Sequence, residues 1–283
     1  MSFKFNFGEV NCEQQKYAGS EADDSRNADV VLPCKEIRFA NMKPIDVSQK
    51  TIAYEIGSEL SLLVLDSEKV EQDVSEKSPA SGVINAVQSH SDLVPSVYEG
   101  GLKVWECSLD LVQYLHTEKI DMRGKYVLEL GCGAGLPGIF AAVSGAAQVY
   151  LQDYNEEVLE HYTLPNFCIN TQDRTSRFFS GDWSSFEEQI VMEKIRFDVI
   201  LTSETIYEPQ NYDKLHSLMD ASLRDDGIIY LAAKSYYFGV GGSVNQFAEY
   251  CSEAGCFVQK SSQDIDAGVP RKIIVLQRKT GSS

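Results

Sequence analysis

The sequence predicts an α/β protein built on an open, mostly parallel sheet with helices on both faces. Three observations point to it. From residue 97 onward, apolar runs of strand length alternate with segments whose apolar residues recur at helical spacing. The first of those runs, 126–130, ends in a cluster of glycines suited to a tight strand-to-helix turn. The last two, 257–260 and 272–277, follow one another without a helix and read as an antiparallel pair.

Taken in order, 105–115 is a helix, with Trp105, Leu109, Leu111, Val112 and Leu115 at helical spacing. Strand 126–130 leads to a helix over 137–143, then strand 148–152 to a helix over 156–162. Strand 177–180 precedes a helix over 185–194, and the buried-type strand 197–202 a helix over 210–223 that stops before Gly227. Strand 228–233 and a helix over 244–253, ended by Gly255, complete five β/α units. Upstream, 8–30 and 66–82 are rich in Glu, Asp, Ser, Asn and Gln. They have too few apolar anchors to offset their ordering entropy and are expected to be mobile. Between them, 30–39 and 51–65 carry residues suited to short strands, and the apolar stretch 60–65 is expected to dock on the main domain. The chain therefore divides into a partly mobile extension over 1–88 and a domain over 89–283.

At 43% hydrophobic and 24% charged residues, the composition is that of a soluble globular protein. No run approaches the roughly 18 apolar residues of a membrane span. The start, Met1 to Phe7, lacks the features of a secretory signal, so cytoplasm, nucleus or both (nucleolus included) are the expected locations. A net charge of −17 argues against direct nucleic-acid binding, which needs clustered Lys and Arg, and leaves room for a basic protein partner. The seven cysteines are scattered and odd in number, and are expected to be reduced thiols. His90, His116, His161 and His216 are too dispersed to form a metal set, so no metal is expected.

Ligand sites in such sheets lie beyond the carboxyl ends of the strands. The first strand ends in Glu129-Leu130-Gly131-Cys132-Gly133-Ala134-Gly135, and Gly133, Gly135 and Gly138 also match the dinucleotide fingerprint. Glu129 stands where a carboxylate could receive the cationic amino group of S-adenosylmethionine, a cofactor that has no pyrophosphate to cradle. Asp153 ends the second strand about 20 residues on, suited to ribose hydroxyls with either cofactor, or to an N-cap before Glu156. Asp182 and Trp183 end the third and could accept the adenine amine and cover its ring, although Asp182 also suits a turn. After the fourth come Ser203, Glu204, Thr205, Tyr207 and Glu208, polar residues set abruptly against a buried strand; a capping box around Ser203 and Asn211 is the simpler alternative.

Gly100-Gly101-Leu102-Lys103-Val104-Trp105-Glu106, the 129–135 turn, Gln152-Asp153-Tyr154, Gly181-Asp182-Trp183 and the 201–207 segment resemble the protein methyltransferases of the seven-stranded class. The lysine enzymes of that class carry Asp-x-x-Tyr after strand four, where this chain has Glu204 and Tyr207. Together with Ser89-His90-Ser91-Asp92-Leu93, the 97–107 segment and the 233–242 segment, the chain is similar over 89–278 to the eukaryotic protein-histidine methyltransferase family. That resemblance implies a Rossmann-like seven-stranded methyltransferase sheet, S-adenosylmethionine as cofactor, and methylation of a histidine on the third protein of the large ribosomal subunit. It further implies a cofactor pocket of Val104, Trp105, Glu106, Cys107, Ser108, Glu129, Gly131, Gly133, Gln152, Asp153, Tyr154, Gly181, Asp182, Trp183 and Ser203. A monomer is the default expectation.

Methyl transfer from a sulfonium is an in-line displacement, so holding the reactants in line is the main task. A lysine ammonium must first lose a proton, whereas an imidazole of ordinary pKa already offers a lone pair. A histidine acceptor needs its other nitrogen to hold the proton, and a carboxylate accepting there would fix the tautomer and stabilise the cation. Glu204 is expected to fill that role, with Tyr207 shaping the slot. Tyr236, Tyr237 and Phe238, followed by glycines, form an aromatic loop suited to gripping a peptide or to packing at a strand end. His90 precedes the segment expected to close over the cofactor and is a candidate for self-methylation. The rival readings are a lysine methyltransferase of the same fold, a nicotinamide-dependent oxidoreductase, and a non-catalytic ribosome-associated module.

Overall fold

The computed structural model describes residues 31–39, 50–77, 82–88, 93–94, 97–266 and 268–279. His90 and the acidic stretch 8–30 lie outside the described residues. Strand β1 (Lys35–Ile37) comes first, then the hairpin β2 (Thr51–Ile56) and β3 (Leu60–Leu65), with helices α1 (Ser67–Lys77) and α2 (Gly82–Gln88). Helix α3 (Glu106–Thr117) leads into β4 (Tyr126–Leu130), α4 (Leu136–Val143) and β5 (Gln148–Asp153). Next is a continuous helix made of α5 (Glu156–Val158), a π-turn (Leu159–Thr163) and α6 (Leu164–Asn170), then β6 (Arg177–Ser180) and α7 (Trp183–Glu193). Strand β7 (Phe197–Ser203), α8 (Tyr212–Ser222), β8 (Leu223–Lys234), α9 (Val244–Ala254), β9 (Phe257–Ile265) and β10 (Arg271–Arg278) complete the order.

The large sheet runs β1-β6-β5-β4-β7-β8-β10-β9, with β6, β5, β4, β7 and β8 parallel and β10, β9 and β1 antiparallel to their neighbours. Seven of these strands are the expected Rossmann-like set, and β1 is an eighth. Both faces are covered, so Val127 of β4 joins one apolar cluster while Leu128 and Leu130 join the other. The strand order reverses at β4, between β5 and β7, and that switch point is where such sheets open a crevice.

Several expectations are corrected. Within the stretch read as mobile, Ser67–Lys77 form a helix, in which Val70 and Val74, one turn apart, are both buried. The segment before residue 88 packs on the domain that follows it: β1 pairs with β6, and Ile37, Ile56, Leu62 and Val64 sit in the same cluster as Val127. Arg177 secures that added edge, with Nε 2.6 Å from Glu36 Oε1 and its guanidinium over the Tyr150 and Phe179 rings. The helix read as 156–162 continues to Asn170, the π-turn accommodating Pro165, which has no amide to donate. Strand β9 extends to Ile265 through mostly exposed polar residues, since an edge strand facing water needs no apolar alternation.

The apolar hairpin docks as expected. Leu65 N donates to Asn166 Oδ1 at 2.9 Å and Leu63 N to Asn170 Oδ1 at 2.8 Å. Asn166 Nδ2 donates in turn to Ala134 O at 3.1 Å, so one buried amide joins the hairpin to the glycine turn. Asn166→Ala leaves two backbone groups without their partner and is expected to cost about 2–4 kcal/mol, read by urea unfolding. A loss under about 0.5 kcal/mol would show that the hairpin is held by its apolar contacts alone.

Candidate active site

A cavity of about 350 Å³ opens at the carboxyl ends of β4, β5 and β7, within the range of small-molecule sites. Its floor is the glycine turn, where Gly131 takes φ +60°, a conformation that costs glycine little. Three amides of this turn are already engaged. Cys132 N donates to Gln152 O at 2.9 Å, Gly133 N to Asp153 Oδ2 at 2.8 Å and Gly135 N to Cys132 O at 2.7 Å. Gly138 N, in the first turn of α4, donates to Glu129 Oε2 at 2.7 Å, and a Cβ on Gly138 would lie 2.6 Å from that oxygen. A dinucleotide's pyrophosphate would need free amides at this helix N-terminus, and a buried carboxylate stands there instead.

Glu129 is thereby corrected: it does not line the cavity. The alternation of β4 turns its side chain under α4, where it is 1% exposed and burial pushes its carboxyl well above the usual range. Asp153 does line the cavity, its Oδ1 accepting from Asn155 N at 3.2 Å. Burial raises its carboxyl to about 6, against the hydrogen bonds from Gly133 and Asn155. Asn155 also fastens a strap across the opening: its Nδ2 donates to Val97 O at 2.8 Å and its Oδ1 accepts from Glu99 N at 3.3 Å. The strap continues through Gly100, whose carbonyl accepts from Trp105 Nε1 at 2.9 Å.

Tyr154, Gly181, Asp182 and Trp183 line the next part of the wall. Gln152 does not. It is fully buried behind Trp183, with Oε1 accepting from Trp183 Nε1 at 2.9 Å and Nε2 donating to Gly181 O at 2.8 Å. It places the indole rather than touching a ligand. Asp182 is the N-cap of α7, accepting from Ser184 N at 2.8 Å, and its other oxygen is 3.0 Å from Lys214 Nζ. Asp182 thus caps α7 and lines the wall at once.

At the end of β7, Ser203, Glu204, Thr205 and Tyr207 line the cavity. Glu204 has φ +58°, and its amide donates to Ala232 O at 3.0 Å. Its carboxylate meets Tyr237 and Lys234. Oε2 accepts from the Tyr237 hydroxyl, Oε1 is 3.8 Å from Lys234 Nζ, and burial raises its carboxyl despite that cation. Tyr207, 9% exposed, donates its hydroxyl to Glu99. Trp105 and Ser108 line the wall, but Val104, Glu106 and Cys107 do not: Glu106 pairs with Arg271 and Cys107 is buried against Glu204. The aromatic loop is split. Tyr237 is buried beneath the floor, while Tyr236 and Phe238 are 47% and 79% exposed, their rings 4.9 Å apart outside the cavity.

Sequence reasoning missed Glu99, Lys103, Glu208 and Lys214, which also line the cavity. Glu208, next to Pro209 after β7, carried a legible strand-end signal. Lys214 lies inside a helix pattern and carried none.

This open sheet, with its cavity at the switch point and a glycine turn whose amides are engaged, is of the S-adenosylmethionine-dependent methyltransferase type. The family model described as lysine methyltransferase matches residues 93–239, just over half of the chain, and the chain belongs to that family. It is 39% identical over 236 residues to the Histidine protein methyltransferase 1 homolog of Rattus norvegicus, an alignment covering 74% of this chain and 65% of that protein. To the Histidine protein methyltransferase 1 homolog of Dictyostelium discoideum it is 45% identical over 192 residues, covering 67% and 61%. The chain thus spans less than two thirds of these relatives' length. In fold it resembles the crystal structure of SMU.776 complexed with SAH, at TM-score 0.56 and 14% identity, covering 87% of this chain and 61% of that one.

Asp153 also sets a pH dependence. Its folded carboxyl, near 6 against an ordinary 3.8, binds its proton more tightly than the unfolded one. Stability from this group is fully present below its unfolded value and is lost as pH rises through about 6. In urea unfolding, wild type is therefore expected to lose stability relative to Asp153→Asn between about pH 4 and about pH 6.5. A difference constant across that range would remove Asp153 as the group responsible.

Proposed function

We propose that the protein is a protein-histidine N-methyltransferase, transferring methyl from S-adenosylmethionine to an imidazole nitrogen of a basic protein. A protein of the large ribosomal subunit is the proposed substrate, acted on in the cytoplasm or nucleus by a monomer. The observation that carries the donor is the plugged glycine turn: Asp153 and Glu129 occupy the amides a pyrophosphate would use, which disfavours a nicotinamide cofactor. The histidine acceptor draws support from relatives bearing that name and from Glu204 and Tyr207 after β7.

S-adenosylmethionine, when bound, supplies a methyl group activated on a sulfonium. Asp153, held by two backbone amides, is suited to receive ribose hydroxyls while its second lone pairs stay available. The Trp183 face, fixed by Gln152, is suited to cover the adenine. The strap over 97–101 narrows the opening and limits water. No residue has to act as base toward a neutral imidazole, whose unperturbed pKa is about 6.5. The chain needs only to orient the ring and take up the charge that develops, and the carboxylates of Glu99 and Glu208 line the same cavity as the Tyr207 hydroxyl. Glu204 lines the same cavity, its carboxylate accepting from the Tyr237 hydroxyl and facing Lys234.

The acidic net charge favours approach of a basic chain. The exposed pair Tyr236 and Phe238 is proposed to grip it. Their loop is tied to the cavity by Gly242 N, which donates to Tyr207 O at 2.9 Å. The second reading, a lysine acceptor, is favoured by the description of the matching family model.

Labelled S-adenosylmethionine with extract proteins, followed by complete hydrolysis, separates the two. Label is expected in methylhistidine on one basic ribosomal protein, and Trp183→Ala is expected to raise the donor KM about tenfold. Label in methyllysine would keep the donor site and overturn the acceptor.

A further inference from the structure

A buried ion pair lies under the cavity floor that methyl transfer itself does not require. Lys234, the last residue of β8, is 5% exposed, and its ammonium is 3.8 Å from Glu204 Oε1. The same ammonium sits 5.0 Å from the centroid of the Trp105 ring and 5.8 Å from that of Tyr237. Tyr237 closes the group, its hydroxyl donating to Glu204 and accepting from Lys234 N at 3.3 Å. A buried ion pair gives little net stability compared with an apolar pair of similar size, so its effect is better sought in geometry.

That geometry concerns Trp105. The indole lines the cavity and donates to Gly100 O, in the strap that lies on the glycine turn: a Cβ on Gly133 would be 3.2 Å from Gly101 O. Trp105 is also the residue before α3, its carbonyl accepting from Ser108 Oγ at 2.7 Å. The sheet adds a further hold. In β10, Arg271 stands opposite Lys234 and pairs with Glu106 and Asp110 of α3. Two cations side by side on neighbouring strands thus fasten the start of α3, one through its acids and one through the tryptophan ring.

We propose that Lys234 is a positioning residue for the donor site: its ammonium, held by Glu204, seats the Trp105 ring against which the donor packs. The inference rests on the donor reading above. Its effect on the donor is exerted through Trp105, so the two residues are energetically coupled in donor binding.

Calorimetric binding of SAH to the full chain tests this with Lys234→Met, Trp105→Leu and the double variant. Each single variant is expected to weaken binding about tenfold, the factor of a desolvated cation–π contact, and the double variant no more than about twofold beyond Trp105→Leu. Losses that multiply to about a hundredfold, or Lys234→Met binding as wild type does, would overturn the coupling while leaving the donor reading intact. Should Lys234→Met not fold, the neutral pair Lys234→Met with Glu204→Gln leaves no unpaired buried charge and is read in its place. It is expected to show the same tenfold loss, and wild-type affinity would overturn the proposal. Folded wild type that does not bind SAH would overturn the donor reading, and this inference with it.

Discussion

At the switch point of the sheet, two carboxylates hold the glycine turn from beneath and from the side. Glu129 accepts from Gly138 N under α4, and Asp153 accepts from Gly133 N across the turn. Neither acid can be moved without releasing a buried amide, and neither can ionise freely, since burial raises both. The cavity depends on them. They fix the backbone that forms its floor and withdraw the amides that would otherwise attract an anion. A turn that reads as a dinucleotide fingerprint is thereby made suitable for a ligand without phosphate.

The rest of the site is assembled around that floor from segments far apart in the chain. Asn155 fixes the strap over 97–101, Gln152 fixes Trp183, and Lys234 with Arg271 fixes the start of α3. Each tie joins a residue at or just beyond a strand terminus to a segment distant in sequence. The side chains that face the cavity are therefore supported by a second layer of buried polar groups, which gives it a defined shape before any ligand arrives. Charge follows a division of labour: buried cations such as Lys234 and Arg271 are used for fastening, while Glu99, Glu208 and Asp153 line the cavity.

The sheet was legible because both its faces are covered. Strands such as 126–130 and 197–202 appear as unbroken apolar runs, and the helices between them carry a 3.6-residue period. Where one side faces water the signal faded, so most of β9 was not foreseen. Strand β1 was legible as a short strand over 30–39, but its pairing with β6 depends on Arg177, Glu36 and a partner more than a hundred residues away. The helix after β5 was read as 156–162, and it continues through the π-turn past Pro165 to Asn170.

For the site, the sequence by itself determined which strand ends meet: Asp153, Trp183, Ser203 and Tyr207 all line one cavity. The parallel order brings consecutive strand ends to one edge, so position along the chain predicts position in the crevice. Only the tertiary structure decided where each carboxylate points. Glu129 and Glu204 stand at the right strand ends, yet one is turned under α4 and the other toward Lys234. A strand's alternation and the helix packed on each face set that direction, and both depend on neighbours distant in sequence. Burial then decides whether an acidic side chain meets a ligand or holds the scaffold.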